Sequence, residues 1–169
     1  MMPTAKEILS GLTTIANEFI ALSIVWHLIL LLVLIFILKT TWRPQKKWVS
    51  VLLVLPLLGV SLLAWIHGNP FNGTMLLIMS LLLGAVGRRL TGVVSRGPKW
   101  AVRIGIGSLA FAWCYPHFMD FASPWLYLIT SPMGLIPCPT LAVLLGFGLL
   151  TEGLGSRLWT LMAVSAGVF

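Results

Sequence analysis

The sequence predicts an all-α integral membrane protein, a bundle of five to six transmembrane helices led by an N-terminal interfacial helix. Three observations carry that expectation: the composition, the length of the uncharged runs, and the way the charges alternate between them. Of 169 residues, 59% are hydrophobic and only 9% charged, where a soluble domain carries about 25% charged residues to face water. The mean hydropathy is +1.02. These figures exclude an ordinary soluble domain, a disordered tail and a nucleic-acid binder, and point to one polytopic domain.

The elements follow from the chain in order. Ile8, Leu12, Ile15 and Phe19 recur at helical spacing, so residues 4–17 form an amphipathic helix lying at the membrane interface. Between Glu18 and Lys39 lie 20 uncharged residues, 19–38, which as helix reach about 30 Å, the thickness of the hydrocarbon layer. This run starts late and is long enough to cross, which marks a span rather than a cleavable signal. A further 40 uncharged residues separate Lys47 from Arg88 and are interrupted by His67-Gly68-Asn69-Pro70-Phe71-Asn72-Gly73, a stretch of turn formers. They predict a helical hairpin with arms 48–66 and 74–87, the first carrying Pro56.

A basic loop with Arg88, Arg89, Arg96, Gly97, Pro98 and Lys99 leads into a fourth span, 100–119. The next uncharged stretch holds Pro124, Pro132, Pro137 and Pro139, four prolines in sixteen positions, which no straight helix tolerates. Residues 120–138 are therefore expected as an outer Pro-rich loop held over the bundle, with a short interfacial or re-entrant helix around 125–129. Pro139 suits the first turn of a fifth span, 139–154. Residues 158–169 make 12 positions, about 18 Å of helix. They either end inside the membrane against other helices or belong to a longer sixth span.

Charge sets the expected orientation. If the spans alternate, Lys39, Arg43, Lys46, Lys47, Arg88, Arg89, Arg96, Lys99, Arg103 and Arg157 share one side, and Lys6 alone lies on the other. With Glu152 on the first side and Glu7, Glu18 and Asp120 on the second, the formal charges are +9 and −2, which together return the overall +7. The positive-inside rule makes the first side cytoplasmic and puts the N-terminus outside, in a multi-pass protein of the bacterial inner (plasma) membrane. A nucleic-acid patch would not partition by alternate loops; attraction to anionic headgroups explains the basic loops more simply.

On this orientation most residues able to do chemistry gather at the outer face: Cys114, His117, Met119 and Asp120 close the fourth span, His67, Asn69 and Asn72 occupy the hairpin turn, and Cys138 precedes the fifth span. Cys114, His117 and Cys138, completed by Met119, Asp120 or His67, have the soft donors that copper or zinc takes. The two thiols read more simply as buried small side chains, and next as a disulfide closing the loop. Histidines at His27, His67 and His117 raise a b-type haem as a further alternative, although His27 alone lies well inside a span. Glu152 and Arg157 read as an interfacial helix end, with a turn at Gly153 and Gly155, in preference to an intramembrane ion pair. Ala101 with Gly105, Ser108 with Ala112, and Ala142 with Gly146, each four apart, allow close helix approach. Asn72-Gly73-Thr74 matches a glycosylation sequon abutting the membrane. With four acidic residues in the chain and no Ser/His/Asp set or phosphate loop, catalysis is not expected.

Tyr115-Pro116, the segment Gly134-Leu135-Ile136-Pro137-Cys138-Pro139-Thr140, and Leu144-Leu145-Gly146-Phe147-Gly148-Leu149-Leu150 resemble a family of small polytopic bacterial membrane proteins classified only as a domain of unknown function. There a Tyr-Pro ends one helix, an outer loop follows, and Pro-Cys-Pro-Thr opens the next. The resemblance covers about residues 109–150 and implies a fold and a location, with no activity. The expected function is that of a non-catalytic accessory or structural subunit, with the bilayer and other membrane subunits or a second copy as partners. The alternative is a small transporter or ion-handling protein using the outer Cys/His/Asp cluster.

Overall fold

A computed structural model of the chain describes residues 4–39, 43–119 and 124–168. Its elements are α1 (Ala5–Glu18), α2 (Ile20–Lys39), α3 (Lys46–Ile66), α4 (Pro70–Arg88), α5 (Lys99–Trp113), α6 (Tyr127–Thr130), α7 (Pro137–Leu150) and α8 (Arg157–Val168). Among the described residues the only extended pairing is an isolated bridge between Gln45 and Val93. The fold is all-helical, and α2, α3 and α4 are each long and apolar enough to cross a membrane.

Each boundary has a local cause. Thr4 caps α1 reciprocally with Glu7: the Glu7 carboxylate accepts from the Thr4 N–H at 2.7 Å while the Thr4 hydroxyl faces the Glu7 N–H at 3.4 Å. The hairpin turn is shorter than the sequence suggests. Pro70 takes the first helical position and the Asn69 side chain accepts from the Asn72 N–H at 3.2 Å, so α4 starts at Pro70 where 74 was expected. Conversely, α5 ends at Trp113 and not at 119, because Pro116 has no N–H to offer the Ala112 carbonyl. Helix α7 begins at Pro137, two residues before the expected start. It stops at Leu150, because Glu152, Gly153, Leu154 and Gly155 all take left-handed backbone, with φ of 53°, 60°, 55° and 69°.

Packing runs through small residues. A side-chain carbon on Gly73 would overlap the Trp65 ring, and one on Gly87 would overlap the Ser50 hydroxyl, which fixes the close contact of α3 with α4. Helices α5 and α7 meet at Gly105 and Gly146, where a Cβ on the first would lie 2.7 Å from the carbonyl oxygen of the second. The Ser108 hydroxyl donates to the Ala142 carbonyl at 2.8 Å across the same seam. The expected small-residue pairs on these helices thus do set the approach, by van der Waals contact and interhelical hydrogen bonds. Helix α8 closes the bundle against α4 and α7, burying Trp159 completely with its indole N–H donating to Ser50 at 2.9 Å.

Helix α2 is apolar on every side, yet only one stripe is buried: Ser23, His27, Leu30, Val33 and Ile37. The spacing of four, three, three and four keeps them on one face. At its far end Arg96 donates to the carbonyls of Ile37, at 3.1 Å, and of Leu38, supplying donors and positive charge to a helix C-terminus. The 43–46 and 92–97 segments join there as well: Lys46 N–H reaches the Gly92 carbonyl, Val94 N–H the Pro44 carbonyl, and Gly97 N–H the Leu150 carbonyl. The basic loops therefore form one end of the bundle. Helix α1 and the segments around His67, Tyr115 and Ile136 form the other, sharing a core of Ile15, Leu63, Tyr115, Leu135 and Ile136.

Candidate functional site

The α1 end holds the segment that leads from α6 into α7. After α6, residues Ser131, Met133, Leu135 and Ile136 are at most 1% exposed, so irregular backbone enters the protein interior. Inside a membrane such backbone is tolerated only where its polar groups find partners within the protein. Here they do. Gly134 N–H donates to the Thr140 hydroxyl at 2.8 Å, Thr140 donates to the Ile136 carbonyl at 2.7 Å, and Ser131 N–H reaches the Tyr127 carbonyl at 3.0 Å. Gly134 has φ of 73°, and a Cβ there would overlap the Trp26 indole, so the chain passes flat against that ring.

His27 is the centre of this arrangement. Its Nδ1 lies 2.8 Å from the Ser23 carbonyl oxygen and its Nε2 lies 3.3 Å from the Ser131 hydroxyl. Ser23 donates its own hydroxyl to the Ser131 carbonyl, and Ser131 lies 2.8 Å from the Ala112 carbonyl. That is the carbonyl Pro116 leaves without a helical donor. The Trp113 ring stands perpendicular to the imidazole with centroids 5.6 Å apart. Three separate stretches of chain, α2, the end of α5 and the segment after α6, are thereby tied at one buried polar point. The Trp26 indole N–H is a buried group with no partner among the described residues.

Five of the six residues considered as metal ligands lie among the described residues. Cys114 is an exposed free thiol beyond α5, and Cys138 is an exposed free thiol in the first turn of α7. His117 packs against Tyr115 and Phe118. Met119 is buried, and its carbonyl accepts from the Tyr127 hydroxyl at 3.1 Å. His67 caps α3, with Nδ1 at 2.9 Å from the Leu63 carbonyl, Nε2 at 3.9 Å from the Glu18 carboxylate, and Phe19 edge-on to its ring. Asp120 lies outside the described residues. No three His, Cys, Asp or Glu side chains converge among the described residues. Of the histidines raised for a haem, His27 has both ring nitrogens turned to protein oxygens, and His67 has Nδ1 turned to the Leu63 carbonyl.

What does converge is the pair of motifs. Tyr115 faces Cys138, and burial first, then the Cys138 sulfur, pushes its phenol above the ordinary tyrosine range. Phe111 stacks edge-on against Tyr115 at 5.4 Å, and Asn17 donates to the Phe118 carbonyl at 2.9 Å, binding α1 to the same corner. Reading the sequence by donor type overlooked Ser23, Ser131 and Trp26. The available signal was Ser23 four residues before His27, which places two polar groups on one face of a span.

The basic end holds a different feature, a lateral groove of about 430 Å³ between α5, α7 and α8. Trp100, Leu145, Leu149, Trp159, Ala163 and Val164 wall it, with Glu152 at its edge. No ion pair joins Glu152 to Arg157 among the described residues. Compared with protein-family models, curated proteins and solved structures, the chain finds no match.

Proposed function

We propose that the chain is a bacterial inner-membrane protein of five to six spans, formed by α2, α3, α4, α5 and α7 with α8 as the short sixth. The α1 end faces outward and the basic end the cytoplasm. Clustering of Arg43, Lys46, Arg96 and the Gly97–Leu150 contact at one end supports this orientation under the positive-inside rule. The meeting of Tyr115 with Cys138 supports kinship with the family of Tyr-Pro and Pro-Cys-Pro-Thr proteins.

Within the membrane it acts as a non-catalytic accessory subunit, working by what packs against it. The observation that carries this reading is the contrast between interior and flank. Polar groups inside are turned on one another, while a concavity of about 430 Å³ between α5, α7 and α8 is walled mainly by apolar side chains, where a neighbouring transmembrane helix fits. A photo-reactive residue at Val164, in the groove, is expected to yield one discrete protein adduct in native membranes, and the same probe at Leu32 on α2 none. A protein that purifies alone in mild detergent and crosslinks equally from both positions contradicts the reading. The second reading, ion handling, draws on the buried irregular segment after α6 and on His27, features that transporters place near a binding site.

A further inference from the structure

We propose that His27, together with Ser23, Ser131 and the Ala112 carbonyl, is a buried binding site for a single proton. The inference goes beyond the packing role and rests on counting hydrogens. The Ser23 carbonyl only accepts, so the His27 Nδ1 that lies 2.8 Å from it carries a hydrogen. The single hydroxyl hydrogen of Ser23 goes to the Ser131 carbonyl. Ser131 also has one hydroxyl hydrogen but two claimants, the Ala112 carbonyl at 2.8 Å and the His27 Nε2 at 3.3 Å. Ala112 has no other donor in its helix, because the residue four ahead is Pro116.

With a neutral imidazole, three hydrogens therefore face four acceptors, and one acceptor is left bare among buried groups. All members are buried: Ser23 and Ser131 are 0% exposed and His27 5%. A proton taken from solvent onto Nε2 completes the set. The new Nε2–H donates to the Ser131 oxygen, the Ser131 hydroxyl turns to Ala112, and no other bond is made or broken. The imidazolium charge is then held by one carbonyl and one hydroxyl, with the Trp113 ring beside it. No Asp, Glu, Lys or Arg side chain is paired with it among the described residues.

The test is side-chain ¹⁵N NMR of histidine-labelled full-length protein in lipid nanodiscs from pH 4.5 to 8.5, with His27 assigned through His27→Gln. His27 is expected to pass in one step from the Nδ1–H form to the doubly protonated form. Ser131→Ala, which removes the acceptor for Nε2–H, is expected to weaken proton binding about tenfold. Ser80→Ala, equally buried but on α4 and bonded within its own helix to the Leu76 carbonyl, is expected to change it less than twofold. A His27 that holds one protonation state throughout overturns the proposal, as does a neutral form carrying its hydrogen on Nε2. Equal effects of the two serine variants also overturn it. The wild-type titration decides the matter even if Ser131→Ala fails to fold.

Discussion

Two stretches of irregular backbone break the bundle, and they meet the same difficulty in opposite ways. Residues 131–136, at the α1 end, are sealed by side chains: Ser23, His27, Thr140 and Ser131 itself supply or receive the hydrogen bonds that a helix would have made. Residues 151–156, at the basic end, close largely on their own backbone, turning left-handed so that Leu154 N–H reaches the Thr151 carbonyl and Ser156 N–H the Gly153 carbonyl, while the Thr151 hydroxyl donates to the Phe147 carbonyl and the Ser156 hydroxyl accepts from the Trp159 N–H. The first solution concentrates polar and titratable groups at one point. The second concentrates strain, since Glu152 and Leu154 hold positive φ without being glycine. Chemistry belongs to the former region and conformational cost to the latter.

The comparison breaks most visibly at Gly134. Gly134→Ala combines positive φ with overlap on the Trp26 ring, and is expected to cost about 3 kcal/mol or more. Gly92→Ala, also at positive φ but with nothing nearby, is expected to cost about 1 kcal/mol. Thermal unfolding of both variants in detergent measures the difference; equal losses would mean that the 131–136 segment is not packed against Trp26.

A smaller effect of opposite sign is expected at the basic end. Glu152 is exposed and left-handed, so Glu152→Gly relieves strain and is expected to stabilise by about 0.5–1 kcal/mol, after the entropy cost of glycine. The same unfolding assay reports it, and a loss of stability would show that the carboxylate is needed where it stands.

The smallest effect lies on α1. The Thr4 N–H, then the Thr4 hydroxyl, hold the Glu7 carboxyl below its usual range. A depressed carboxyl contributes stability that is present above its unfolded value and lost as pH falls through the folded one. Fraying of the first turn of α1 is therefore expected only in acid below the usual glutamate range, leaving the 131–136 segment unaffected. Amide exchange at Glu7 and Ile8 against pH checks this.

Much of the architecture was legible in the chain. Uncharged runs located α2 and α3 to within two residues, because twenty apolar positions between charges have few other uses. Small residues four apart marked the α5–α7 seam. Proline was harder to read, since its effect depends on position: Pro70 and Pro137 start helices, whereas Pro116 ends one by withholding a donor. The buried face of α2 was hidden because its hydrophobicity is uniform around the axis, and only Ser23 and His27 distinguish it. The candidate metal ligands were chosen by donor type, and the fold brings Tyr115 rather than a second donor to Cys138. The burial of 131–136 was out of reach, since Ser131 acquires its role from Ala112, nineteen residues earlier.

The central claim is that the two ends lie on opposite sides of a membrane, with the polar chemistry at the outer one. The native chain offers a direct probe, because its two cysteines, Cys114 and Cys138, are both free, exposed and at the α1 end. A membrane-impermeant maleimide applied to intact spheroplasts is predicted to label the native protein. A Cys114→Ala, Cys138→Ala protein carrying Val93→Cys, an exposed position in the basic loops, is predicted to react only after permeabilisation. Labelling of Val93→Cys in intact cells, with the native cysteines protected until permeabilisation, would contradict the account.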